Sequence, residues 1–181
     1  VQVPGTNWRS VHMGASAGRA TRTDGTLWAW GGNWYGGCGQ NDRNHKSSPC
    51  QIPGTSWSTQ IVPHADANCT HMLKTNGEMW AVGDNDNGRL GVQPTYTRYS
   101  SPVQIPGTWR QINGMNYGII GTKTDGTLWM YGRNTGGTNA RNQDHPEGQN
   151  WQPQQHGTET NWMWAAASDR TCYALKYNAD P

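Results

Sequence analysis

Four cysteines, six histidines and one acidic run are the side chains of this 181-residue chain that could hold a metal or carry a reaction. Cys38, Cys50, Cys69 and Cys172 include no Cys-x-x-Cys pair, the spacing that a structural zinc site uses. His12, His45, His64, His71, His145 and His156 form no pair with ligand spacing. Asp84-Asn85-Asp86-Asn87-Gly88 opens like a calcium loop, but Thr95 stands at the twelfth position, where a bidentate acid would have to close the site. It reads instead as a turn built on Asx chemistry. No serine lies in a Gly-x-Ser-x-Gly setting, and the glycine-rich runs follow strands and open loops rather than helices. The sequence therefore predicts no catalytic residue, no metal and no cofactor.

The elements that position these residues are repeats. Thr23-Asp24-Gly25-Thr26-Leu27-Trp28-Ala29-Trp30-Gly31 returns as Thr75 to Gly83 and as Thr124 to Gly132, with steps of 52 and 49 between the central glycines. Each copy predicts a two-residue hairpin turn at Asp-Gly or Asn-Gly, which tolerate positive φ, followed by an aromatic-rich strand. A second marker agrees: Gln2 to Gly5 returns as Gln51 to Gly54 and Gln104 to Gly107, steps of 49 and 53, and each is followed by a tryptophan, Trp8, Trp57 or Trp109. A degenerate copy, Gln154 to Gly157, leads to Trp162. A period near fifty residues with several short strands per unit points to propeller blades, and glycine and proline recur too densely for a helical solenoid.

The pattern Leu-Lys-Thr-(Asp/Asn)-Gly-(Thr/Glu)-(Leu/Met)-Trp, then Asn85 to Gly91, then Ser101 to Gly107, resembles the regulator of chromosome condensation repeat over nearly the whole chain. Its spelling is closest to bacterial or phage versions. The resemblance implies an all-β fold of four-stranded antiparallel blades, as in seven-bladed propellers. The expectation is one propeller segment over 1–181, with repeats at about 6–54, 55–107 and 108–157 and a partial one at 158–181. The chain opens at Val1 inside a repeat and stops at Pro181 before a fourth Leu-Trp strand. It is expected to be a segment of a larger propeller, or to have its open ends completed by something else. In this family His71 would stand at a strand position often held by a structural histidine.

Within each repeat the expected strands are, for the first, Trp8–Met13, Ala17–Arg22 and Leu27–Trp30, with Pro49–Pro53 as an outer strand where proline is tolerated. Aligned repeats place Cys38 opposite Leu90 and Cys50 opposite Val103. The two could form a disulfide within the blade, or be small core residues. Cys69 and Cys172 fall in repeats that are not adjacent. Trp8, Trp57, Trp109 and Trp162 form one column and Trp28, Trp80 and Trp129 another, and columns are expected in the core. Trp34, Trp151 and Trp164 lie off both. With Tyr35, Tyr96 and Tyr99, Trp34 and Trp151 are the candidate binding residues, because loop aromatics bring large rigid area at low entropic cost. The divergent segment Arg133 to Pro153 is either a working loop or a solvated linker.

Fourteen Lys and Arg against twelve Asp and Glu give a formal net charge of +2, with no basic run, so nothing calls for nucleic acid. No apolar stretch approaches the roughly 20 residues of a membrane span. The expected function is a non-catalytic protein-binding or structural module that presents loops from a rigid ring. Its partners would be a protein or assembly subunits, including further copies of itself. The alternative is a lectin-like carbohydrate binder using loop Trp and Tyr. Against it, Trp34 and Tyr35 align with Asp86 and Asn87, whereas a sugar site in each blade would repeat its aromatics. The composition suits an extracellular or virion protein, with a cytoplasmic one as the alternative.

Overall fold

A computed structural model describes residues 3–63, 68–115, 117–133, 149–168 and 171–177. Its strands form three antiparallel sheets. β1 (Trp8–Met13), β2 (Ala17–Arg22), β3 (Leu27–Gly31) and β4 (Lys46–Ile52) pair in chain order as blade 1. β5 (Trp57–Pro63), β6 (Cys69–Lys74), β7 (Glu78–Asp84), β8 (Arg98–Met115), β9 (Gly118–Lys123), β10 (Leu128–Arg133) and β11 (Gln149–Gln155) form the second sheet, and β12 (Trp162–Ala167) pairs with β13 (Cys172–Lys176) in the third.

The seven-stranded sheet is two blades that share a strand. The first part of β8 pairs with β7 up to Thr108 and closes blade 2; from Trp109 onward β8 pairs with β9 and opens blade 3. The turn from one blade to the next is made at Gly107, whose φ of 113° only glycine adopts without strain. β12 and β13 begin blade 4. The outer strand of blade 1 starts earlier than the prolines suggest, at Lys46, because its pairing with β3 runs out to Gly31.

The hairpins differ from expectation. Gly25 has φ 79° and donates its N–H to Arg22 O at 3.0 Å, but Asp24 is not among the positive-φ residues, and Arg22 N bonds Thr26 O at 2.9 Å. This is a three-residue turn with a left-handed glycine bulge, not a two-residue one. Asp24 acts through its side chain instead. Its Oδ1 accepts from Thr26 N at 2.9 Å and Thr26 Oγ1 at 2.7 Å, and Trp28 Nε1 donates to that hydroxyl at 2.9 Å. Asp125, Thr127 and Trp129 repeat the arrangement at 3.0, 2.6 and 2.6 Å.

The core lies between successive blades. Leu27, Ala29, Cys38 and Ile52 of blade 1 pack on Trp57, Ile61, Met72 and Val82 of blade 2. Leu73, Met79, Ala81, Leu90 and Ile105 of blade 2 pack on Trp109, Ile112, Ile119 and Tyr131 of blade 3. Ile120, Leu128 and Met130 pack on Ala165 of blade 4. Middle strands such as β2 and β6 are buried on both faces, so they do not alternate in hydropathy. Each turn also holds the next blade: Gly25 O accepts from Trp57 N at 3.0 Å, Gly77 O from Trp109 N at 2.8 Å and Gly126 O from Trp162 N at 3.0 Å. Side-chain amides add a second link. Gln60 brackets β8 through Ile112 N and Arg110 O at 3.1 and 3.3 Å, and Gln111 brackets Ala165 N and O at 3.0 and 2.6 Å.

Of the seven column tryptophans only Trp57 and Trp109 are buried, which corrects the expectation that both columns are core. The others are half-buried, and a cation lies on the indoles of both columns. Arg22 stands 4.5 and 4.2 Å from the rings of Trp8 and Trp28, Lys74 lies 5.5 and 4.9 Å from Trp57 and Trp80, and Lys123 lies 5.2 and 3.3 Å from Trp109 and Trp129. Each blade thus caps its turn end with a cation between two indoles, a contact worth about 0.5–1 kcal/mol where exposed.

Candidate functional site

The turns close one end of each blade; the long connections between third and fourth strands stand at the other. Two of these loops are described, and each is built around a buried asparagine. Asn33 Nδ2 donates to Asp42 O and Asn44 O at 3.0 and 3.1 Å, and its Oδ1 accepts from Cys38 N at 2.8 Å. Asn85 Nδ2 donates to Val92 O and Pro94 O, both at 2.9 Å, and its Oδ1 accepts from Leu90 N at 3.0 Å. One amide therefore replaces the backbone ladder that a loop lacks, and buried backbone groups stay paired.

The first loop leans on the second blade. Asn41 N donates to Ser100 O at 2.8 Å, Ser101 Oγ to Asn41 Oδ1 at 3.3 Å, and Gly36, at φ 82°, leaves no room for a Cβ against Ser100. This docking brings together candidates that are far apart in sequence. The guanidinium of Arg98 sits 4.8 Å from the ring of Tyr35, one residue before Tyr99 on β8. Tyr99 donates its hydroxyl to Gln93 O at 2.9 Å, and burial raises its pKa. Tyr96 is 64% exposed in a left-handed conformation, φ 57°, and Trp34 is 59% exposed with its ring 4.3 Å from His45. Trp151 falls in β11, but its side chain lies outside the described residues, as does most of the Arg133 to Pro153 segment with His145 and Glu147.

Sequence reading missed the cations that hold this face. Arg89 and Arg133 lie 5.0 and 5.5 Å from the ring of Tyr117, and Arg89 pairs with Asp84 at 3.8 Å below the surface. Burial raises the Asp84 carboxyl and Arg89 opposes the shift. The acidic run is thus occupied structurally: Asp84 faces Arg89 and Asn85 spans its own loop. The available signal was an arginine set against each loop, Arg89 directly after the acidic run, between Gly88 and Leu90, and Arg98 between Thr97 and Tyr99.

Cys38 and Cys50 stand as free thiols in this structure. Cys38 is buried, and that burial pushes its pKa up to about 11. Cys50 is half-buried, and its Sγ donates to Ala29 O at 3.1 Å. Nearby, Arg19 is fully buried and bonds no carboxylate among the described residues: Nε donates to Thr70 Oγ1 at 3.1 Å and Nη2 to Gly37 O at 2.9 Å, tying blades 1 and 2. His71 is buried, with its ring 5.8 Å from Tyr131. The aromatic platform of Trp34 and Tyr35 has no counterpart in the second loop, where Asp86–Gly88 form a single 3₁₀ turn. Among the described residues no helix is long and apolar enough to cross a membrane.

Residues 24–66 match the regulator of chromosome condensation (RCC1) repeat. Human RCC2 is 32% identical over 103 residues, covering 56% of this chain and 20% of that protein, and the RCC2 homolog of Xenopus laevis is 31% identical over the same length. Human WBSCR16 superposes with a TM-score of 0.75 at 20% identity, over 93% of this chain and 44% of that one. Prp20p of Saccharomyces cerevisiae, whose structure is described with its binding to Gsp1p and histones, superposes at 0.76 and 14% identity, over 95% and 44%. The chain thus spans about a fifth of its curated relatives and less than half of its structural neighbours. Its fold is an all-β set of RCC1-type propeller blades. The extracellular or virion setting expected from composition is corrected: the relatives found are vertebrate RCC2 proteins and a yeast protein described with its binding to histones.

Proposed function

We propose that this chain is a non-catalytic, protein-binding propeller segment that engages its partner through the loop end of blades 1 and 2. The observation that carries the reading is the docking of the first loop on β8. It seats Tyr35 of the first loop on Arg98, next to Tyr99, and the same two loops carry Trp34 and Tyr96 as their most exposed aromatics. Rigid aromatics and an arginine are the side chains that dominate protein interfaces. The structural neighbours support it, since Prp20p is described as binding Gsp1p and histones, and yeast RCC1 was solved bound to Kap60.

The test is titration of the chain with Gsp1p and, separately, with core histones, by calorimetry. Trp34→Ala and Tyr96→Ala are expected to weaken binding of at least one of them by about tenfold each, a loss of roughly 1.4 kcal/mol, with unchanged melting. Binding that both variants leave intact would move the interface elsewhere.

A second reading, assembly through blade faces, has its own observation. Val11 and Met13 on β1 and Tyr173 and Leu175 on β13 are exposed on faces that carry no neighbouring sheet among the described residues. Native mass spectrometry separates the two: a monomer at all concentrations removes assembly and leaves the loop-face reading standing.

A further inference from the structure

Each inner strand bulges just after its leading tryptophan, and one bulge is larger than the rest. In blade 1, Arg9 and Ser10 face Thr21 alone; in blade 3, Arg110 and Gln111 face Thr122; in blade 4, Met163 and Trp164 face Leu175. In blade 2 the pairs Trp57↔Lys74 and Ile61↔Met72 enclose Ser58, Thr59 and Gln60 against Leu73. Blade 2 therefore carries one residue more than the others at this point. The extra length is used: the backbone of Thr59 reaches His12 of blade 1, whose pKa burial lowers while this contact opposes the shift. Bulges re-aim side chains and sit beside functional sites more often than chance.

On the other side of the same bulge, between blades 2 and 3, lies a groove of about 370 Å³ at the turn end, away from the loop face. Its rim is polar, with Ser58, Gln60, Asn76 and Thr124, and Leu73 and Trp109 give it an apolar wall. It holds two cations of different status. Lys74 is bonded to Glu78 at 2.8 Å and lies against its two tryptophans. Arg110 is exposed and donates Nη1 to Trp162 O at 3.3 Å and Nη2 to Thr124 O at 3.1 Å, with no carboxylate partner among the described residues. Two of its five N–H groups are thus used on carbonyls, which fix the guanidinium plane, and three remain.

We infer that this groove is a binding site for a small carboxylate. One uncompensated guanidinium matches one carboxylate, which Arg receives through a planar fork. Hydroxyl and amide groups of the rim suit the polar remainder of such a ligand, and the wall of Leu73 and Trp109 suits a short hydrocarbon stem. The volume lies at the lower end of small-molecule sites, about 300–1,000 Å³. A phosphate dianion would ask for a second free cation that Glu78 has already taken.

The experiment is an NMR titration of the full chain with succinate, acetate and inorganic phosphate in turn, at constant ionic strength set by chloride. Saturable shifts at Arg110, Ser58 and the Trp109 indole with a carboxylate are expected, with Arg110→Gln weakening the binding by about tenfold or more. Ser58→Leu fills the groove from its half-buried rim, leaves Arg110 in place and is expected to abolish the shifts, so the site remains testable if Arg110→Gln loses its fold. Absence of saturation with either carboxylate, stronger binding of phosphate, or equal binding by the Ser58→Leu protein would overturn the assignment.

Discussion

At the turn end, blade 2 and blade 3 place the same chemistry in the same places: Asn76 and Asp125 brace the turn, Gly77 and Gly126 hand a carbonyl to the next tryptophan, and Lys74 and Lys123 lie on paired indoles. At the loop end, blades 1 and 2 share only the scaffold. Asn33 and Asn85 make equivalent bonds, but the residues that follow are Trp34 and Tyr35 in one loop and Asp86 and Asn87 in the other. Chemistry that recurs at every blade holds blades together. Chemistry that changes on a constant scaffold is free for recognition.

The strongest way to break that comparison is at the turn end. Trp109→Ala removes a fully buried indole from the contact between blades 2 and 3 and is expected to cost about 4 kcal/mol, read as a shift of the urea midpoint at constant slope. Gly77→Val is expected to cost about 3 kcal/mol, because φ is 86° and a Cβ would stand 2.7 Å from Thr108 Cγ2 and 3.0 Å from Trp109 O. A loss confined to a few tenths of a kcal/mol would mean that the turn does not hold the next blade.

The shared loop scaffold gives the next test. Asn85→Ala deletes three bonds of 2.9 to 3.0 Å from a buried loop and should cost about 2 kcal/mol, with hydrogen exchange accelerated at Leu90 and little changed at the turns. Asn33→Ala should do the same to the first loop; if the two differ widely, the scaffolds are not equivalent. Cys38 sharpens the same point, since it fills the place of Leu90. The folded thiol keeps its proton to about pH 11, whereas its ordinary value is 9.0, so the unfolded chain binds fewer protons in that window and stability falls as pH rises through it. Cys38→Ala should flatten that alkaline fall by an amount on the order of 2 kcal/mol, and a parallel slope in both proteins would show that the thiol is not the group responsible.

Much of the fold was legible in the sequence because repetition exposes it. Three Asp-Gly or Asn-Gly turns in register located the hairpins, the strands that follow them and the tryptophans that follow each Pro-Gly. What stayed hidden depends on one blade meeting the next. The hairpin glycines serve as much to receive Trp57, Trp109 and Trp162 as to turn the chain, and that bond has no local signature. The two-residue turn was a wrong reading of the same dipeptide, because Asp24 acts through its carboxylate and not through its φ. At the loop face, Trp34, Tyr35, Tyr96 and Tyr99 were recognisable as unpatterned aromatics. Their meeting was not, since it rests on Asn41 reaching Ser100 across 59 positions of sequence, and on the choice of Arg98 rather than any other cation as the partner of Tyr35.

The smallest expected change in stability is also the one that decides most. Trp34 and Trp109 are the same residue type at opposite ends of the blades. Trp34 is 59% exposed and touches His45, while Trp109 is 1% exposed. Truncating an exposed side chain away from caps and networks shifts stability by less than about 0.5 kcal/mol, so Trp34→Ala should melt with the parent protein. An exposed indole is nonetheless costly for a chain to keep, because apolar surface left in water favours association with something. If Trp34→Ala is as stable as expected yet no longer bound by a protein that the parent chain binds, exposure at this end is explained by recognition. A loss of several kcal/mol would show instead that Trp34 is a structural member of the first loop, and the contrast between the two ends would fail at its most exposed residue.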